Sequence, residues 1–148
     1  MRNVLSNLSK MRFENYDYND ELLDYVNSVK DKYNPAMIIL FGSLTTGDYW
    51  HNSDADIIVI LRQDRVNHLT KGLELRKIGY DLPLDLFVYG TQQFIDMIEQ
   101  GNLLALDAME YGQIIWTGDE KYLDRLTKKW EYVRARWQPT DYGWKGIE

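Results

Sequence analysis

Residues 42–56 read Gly42-Ser43-Leu44-Thr45-Thr46-Gly47-Asp48-Tyr49-Trp50-His51-Asn52-Ser53-Asp54-Ala55-Asp56, a polar stretch set between two apolar runs. Before it stands Ala36 to Phe41 (AMIILF), a continuous apolar run ended by glycine, which predicts a strand buried on both faces. Asp54 to Leu61 (DADIIVIL) predicts a second buried strand. The polar stretch between them is a loop with room for a short helix. A strand that ends in Gly42-Ser43 lets backbone amides turn toward an anion, with the serine hydroxyl as a further donor. Gly47 gives the rest of the loop freedom to close round a phosphate.

The carboxylates carry the second half of the pattern. Asp54 and Asp56 are two residues apart on an extended chain, so their side chains leave the same face. Beyond them Ile58 and Ile60 continue that face, while Ile57, Val59 and Leu61 form the other. Two like charges at the edge of a buried strand repel and resist desolvation. A cation neutralises them, and Mg²⁺ held by oxygen ligands is the usual one; Mn²⁺ takes the same octahedral set. Asp85 stands alone within a third apolar strand, Leu84 to Tyr89 (LDLFVY). Asp81 is the other candidate for a third carboxylate, but it precedes Pro83 and lies outside that strand. The bland alternative has the aspartates capping a helix or pairing with Arg62 or Lys77.

Working outward, residues 1–18 carry no clear period and are expected as a loose arm or short helix. Asn19 or Asp20 caps a helix to about Tyr33, ended by Asn34-Pro35. Asp64 to Ile78 is expected helical, with Leu69, Leu73 and Leu75 as its apolar residues. Thr91 caps a helix containing Phe94, Ile95 and Ile98, which Gly101 stops. Asn102 to Glu110 predicts a further helix and Gln113 to Trp116 a short strand. Gly118-Asp119 opens a last helix to about Trp137, and Pro139 onward is a tail. Strands alternating with helices indicate an α/β or α+β fold with a small mixed sheet. The expected layout is an arm over 1–18, the main domain over 19–117, and a helix and tail over 118–148 packed on it.

The 148 residues suit one domain, which buries roughly two-thirds of its unfolded surface. A net charge of −6 places the chain at a disadvantage for gripping a nucleic-acid backbone, so no direct nucleic-acid substrate is expected. No cysteine is present, which excludes disulfides and thiolate metal sites. No window is apolar enough to span a bilayer and Met1 to Phe13 lacks a signal-peptide run, so a cytoplasmic location is the expectation. His51 and His68 are too poorly patterned for a metal pair. His51 and Asp48 lie in the polar loop, where solvation is their ordinary state and contact with a phosphate is the alternative for His51. Trp130, Tyr132, Val133 and Trp137 suggest packing of the last helix, whose Lys128, Lys129, Arg134 and Arg136 make it locally basic.

The run Gly42-Ser43, ten residues, then Asp54-Ala55-Asp56 resembles the signature of the DNA polymerase β-like nucleotidyltransferase superfamily, and within it the MNT family of minimal nucleotidyltransferases. Gly47 falls at the inner glycine, Ser53 directly precedes the first aspartate, and Asp85 falls at the third carboxylate. The resemblance covers roughly residues 36–117. It implies phosphoryl transfer with two Mg²⁺ ions and a nucleoside triphosphate, ATP favoured. Asp54 and Asp56 would bridge the ions, Asp85 would complete the one that activates the nucleophile, and Ser43 with nearby amides would hold phosphates. Enzymes of the superfamily that modify RNA ends or antibiotics carry a further acceptor domain, and none is visible here. The chain therefore resembles the antitoxins of HEPN–MNT toxin–antitoxin pairs, which add AMP to a tyrosine of the toxin. Two other readings stay open: transfer to an aminoglycoside-like cation, and an antitoxin that acts by binding alone.

Overall fold

The computed structural model describes residues 4–77 and 81–147. Its main sheet has four strands, β1 (Met37–Phe41), β2 (Ala55–Leu61), β3 (Leu84–Gly90) and β4 (Gln113–Thr117), in the spatial order β3-β2-β1-β4. β1 runs antiparallel to both β2 and β4, whereas β2 and β3 are parallel. A parallel pair needs a crossover, and helix α3 (His68–Arg76) supplies it. The result is the mixed sheet with flanking helices that the alternation of elements predicts.

Both faces of the sheet are covered, which is why β1, and β2 beyond Asp56, are apolar rather than alternating. On one face Ile38, Leu40, Ile57, Val59 and Leu61 cluster with Leu22, Tyr25, Val26 and Val29 of α1 (Asn19–Tyr33) and with Leu75 of α3. The opposite face carries Met37, Ile39, Ile58 and Ile60. These meet Phe94 and Ile98 of α4 (Thr91–Glu99), Leu106 of α5 (Leu103–Tyr111) and Leu126 of α6 (Glu120–Arg134). Each such buried side chain contributes on the order of 1.5–3 kcal/mol. No helix among the described residues is long and apolar enough to cross a membrane.

Several local expectations are corrected. The segment before α1 is not loose: Val4 bridges Ile114, Leu8–Lys10 form a 3₁₀ turn, and Met11 and Tyr16 are buried. Asn19 does not cap α1 through its side chain. It bonds backward instead, accepting from the Phe13 amide at 2.8 Å and donating to the Phe13 carbonyl at 2.8 Å. Gly90 rather than Thr91 is the N-cap of α4, and the Gln93 side chain reaches back to the Gly90 amide at 2.9 Å.

Helix α3 begins four residues later than expected, with Asn67 as cap, and Ile78 lies outside the described residues. Only its Leu75 is buried; Leu69 and Leu73 are 69% and 67% exposed. The last helix ends at Arg134, and the chain then forms a hairpin, β5 (Trp137–Thr140) with β6 (Gly143–Gly146). The tail expectation failed because Pro139 reads as a breaker, yet proline is tolerated on an edge strand. Trp144 of the hairpin packs edge-on against Trp130.

Candidate active site

The C-terminal end of β1 and the N-terminal ends of β2 and β3 meet at one edge of the molecule. Phe41 pairs with Asp56 across the antiparallel ladder, and Asp56 pairs with Asp85 across the parallel one. The Ala55 amide donates to the Pro83 carbonyl at 2.8 Å, which sets that parallel register. Of the two candidates for a third carboxylate, the fold therefore puts Asp85 beside Asp56, whereas Asp81 is exposed ahead of the strand.

Gly42 joins this end of the sheet to the loop. Its backbone sits at φ 76° and ψ −152°, a region closed to side-chain-bearing residues. The space is closed as well: an ideal Cβ there would lie 2.0 Å from Oδ2 of Asp56. Asp56 thus packs directly on the glycine that starts the loop, so the phosphate-cradle candidate and the carboxylates form one locus.

Ser43 opens a one-turn helix, α2 (Ser43–Thr46), in which Thr45 and Thr46 amides donate to the Gly42 carbonyl at 3.1 and 3.2 Å. The amides of Ser43 and Leu44 precede these bonds, as the first N–H groups of any helix do. Gly47 closes α2 in the left-handed region at φ 87°, its amide donating to the Ser43 carbonyl at 3.0 Å. Ser53 uses its hydroxyl to accept from the Trp50 amide at 2.8 Å, which ties the turn ahead of Asp54.

Electrostatics single out Asp56. Its carboxyl is half-buried, and desolvation first, then a hydrogen bond to Asp85 and the charges of Asp85 and Asp54, push its pKa from 3.8 up to about 7. No ion pair among the described residues links these aspartates to Arg or Lys. Arg62, the suspected partner, donates instead to the carbonyls of Asn34 at 2.7 Å and Gly118 at 2.5 Å. The pairing alternative for Arg62 is thereby overturned.

An all-oxygen set of crowded carboxylates, one of them retaining its proton near neutrality, fits a hard divalent cation. Among the described residues no three acidic or histidine side chains form a ready-made ligand cage. Asp56 and Asp85 share a hydrogen bond and Asp54 is exposed, so the three oxygen donors have still to converge.

A family model described as "Polymerase beta, Nucleotidyltransferase" matches residues 24–121, more than half of the chain. The chain belongs to this nucleotidyltransferase family. Membership places it in that class of enzymes, with a nucleotide substrate and a divalent metal in general terms. Among solved structures, the nucleotidyltransferase resembles a Sulfolobus solfataricus protein described provisionally as a nucleotidyltransferase. That pair has a TM-score of 0.50 and 16% identity over 66% of this chain and 78% of the other, a likeness of fold alone. A toxin–antitoxin structure with AMP-PNP matches at a TM-score of 0.48 and 20% identity, covering 75% of this chain and 88% of that one. A mutant of the toxin–antitoxin MntA-HpeT matches at 0.47 and 18%, covering 74% and 87%. No protein of curated function matches the chain in sequence.

Sequence reasoning missed one group of residues at this site. His51 is not merely solvated: its Nδ1 donates to the Asp17 carboxylate at 2.8 Å. Tyr16, buried beneath the loop, donates its hydroxyl to the Ser53 carbonyl at 2.7 Å. Burial, followed by the negative charge of Asp54, pushes the Tyr16 pKa up to about 12, so it stays a donor. Tyr16 and Ser53 are 37 residues apart, and no local pattern marks such a pair.

Proposed function

We propose that this nucleotidyltransferase moves a nucleoside monophosphate, AMP from ATP, onto a tyrosine hydroxyl of a HEPN-type toxin and so acts as its antitoxin. The observation that carries the chemical part is Asp56, wedged against Gly42 on one side and paired with Asp85 on the other. That contact puts the start of the candidate phosphate loop next to the carboxylate pair, which supports this reading. Asp54, Asp56 and Asp85 would hold Mg²⁺, which supplies charge neutralisation for the triphosphate and lowers the pKa of the acceptor hydroxyl. Ser43 and the first amides of α2 orient the phosphates. The hydroxyl gives up its proton to solvent, its oxygen bonds the α-phosphorus as the bond to the β-phosphate breaks, and pyrophosphate leaves. AMP, tyrosine and toxin rest on the resemblance of Gly42 through Asp56, with Asp85, to the MNT family.

The test incubates the protein with α-labelled ATP and Mg²⁺, with and without a small helical HEPN protein encoded beside it. Label should appear on the HEPN chain and vanish when Asp54→Asn and Asp56→Asn are combined. If the wild type labels no protein, AMP transfer to a protein is wrong. Full neutralisation of the toxin by the double mutant would instead establish an antitoxin that works by binding.

A further inference from the structure

The loop that carries Trp50 to Asp54 is not left to hold itself. Four hydrogen bonds tie it to residues 14–17. The Tyr49 hydroxyl donates to the Glu14 carbonyl at 2.7 Å, and the Tyr16 hydroxyl donates to the Ser53 carbonyl at 2.7 Å. The Asp17 amide donates to the His51 carbonyl at 2.8 Å, and the Asp17 carboxylate accepts from His51 Nδ1 at 2.8 Å. Rings reinforce the seam: Tyr49 meets Phe13 and Tyr16 edge-on, each at a centroid distance of 6.1 Å.

This segment is itself a fixed object. Asn15 takes a left-handed turn at φ 59°, a conformation asparagine tolerates. Asn19, buried at the start of α1, grips both backbone groups of Phe13 and accepts a further role by donating to the Tyr16 carbonyl at 3.1 Å. Helix α1 therefore holds residues 13–17, and residues 13–17 hold the loop. The family match begins at residue 24, so residues 13–17 lie outside the matched span, while their loop partners lie inside it.

From this geometry we infer that residues 13–17 are a strap that sets the position of Asp54, with Tyr16, Asp17 and His51 as positioning residues for the candidate active site. The physical need is specific. Asp54 lies one residue before β2 begins, so the sheet ladder does not hold it, and it is exposed. The bond from the Tyr16 hydroxyl fixes the carbonyl of Ser53, one residue away. The strap also presents Trp50, 77% exposed, on a turn closed by the Ser53 amide bonding to the Trp50 carbonyl at 3.2 Å. A preset Asp54 leaves less freedom to be lost when a cation and triphosphate bind.

The inference rests on Asp54 being part of a triphosphate site, and the test separates the two. Hydrogen–deuterium exchange and Mg²⁺-dependent binding of a fluorescent ATP analogue are measured for the full chain as wild type, Tyr16→Phe, and Asp17→Ala. Tyr16→Phe keeps the ring and removes only the hydroxyl bond to the Ser53 carbonyl. Exchange in residues 48–54 should rise about five- to tenfold, the loss of one hydrogen bond, while strands β1 and β4 keep their protection. Affinity for the analogue should fall several-fold. Asp17→Asn, which keeps an acceptor for His51, should recover most of what Asp17→Ala loses. If wild type fails to bind the analogue, the triphosphate site itself is refuted. If wild type binds and both Tyr16→Phe and Asp17→Ala leave exchange and affinity unchanged, the strap is refuted. Loss of protection spread through β1 and β4 would also overturn it, because the segment would then be ordinary core.

Discussion

Asp56→Asn should make the protein more stable while disabling it. Folding raises the pKa of Asp56 from 3.8 to about 7, so the folded chain takes up a proton at pH values between these two. The stabilisation is complete below 3.8 and is lost as pH rises through 7. At pH 8 without metal the chain carries the full repulsion. A rise of about three pH units corresponds to roughly 4 kcal/mol at 1.36 kcal/mol per unit. Asp56 is half-exposed and solvent screens such charges, so about 1–2 kcal/mol survives. For a chain of this size that is about 3–6 °C in Tm. Thermal unfolding in a chelating buffer at pH 8 should show Asp56→Asn melting higher than wild type by this amount, with the gap narrowing as pH falls and closing only below 3.8. Mg²⁺ should raise the wild-type Tm and leave that of the variant almost unmoved. A variant that melts lower than wild type at pH 8, or a gap independent of pH, would refute the electrostatic account.

Gly42→Ala combines a forbidden φ of 76° with a Cβ 2.0 Å from Asp56, so it should lower stability by about 1–3 kcal/mol and abolish binding of a triphosphate analogue, seen by calorimetry. Phe94→Ala opens a cavity in the core on the face opposite α1, where Phe94 is fully buried; denaturant unfolding should show a loss of about 3–5 kcal/mol. Leu69→Gln with Leu73→Gln should change stability by less than about 0.5 kcal/mol each, because both side chains already face solvent.

The legible parts of this protein are those where chemistry and local pattern coincide. AMIILF and DADIIVIL announced buried strands because an apolar run with no polar alternation has only one comfortable place in a fold. Asp54 and Asp56 stood out because two charges at the edge of such a run need an explanation. Gly42 was visible as a turn residue and a phosphate-loop candidate, but not as the surface against which Asp56 packs. The leucines of α3 did not reveal which of them is buried, since the sequence does not say which side of a helix a neighbour covers. Pro139 concealed a hairpin because a breaker in mid-chain is harmless at a sheet edge.

By itself the sequence determined the four strands of the main sheet, the helices α1, α4 and α5, the glycine-bounded loop after β1 and the two-residue spacing of the first carboxylates, all consequences of residues near one another in the chain. Only the tertiary structure set Asp85 beside Asp56, because that neighbourhood depends on the parallel register of β2 against β3. It alone brought Tyr16 and Asp17 against the loop that carries His51 and Ser53, across gaps of 37 and 34 residues. Contacts of that kind follow from how the whole chain closes on its two-faced sheet, and no local propensity encodes them.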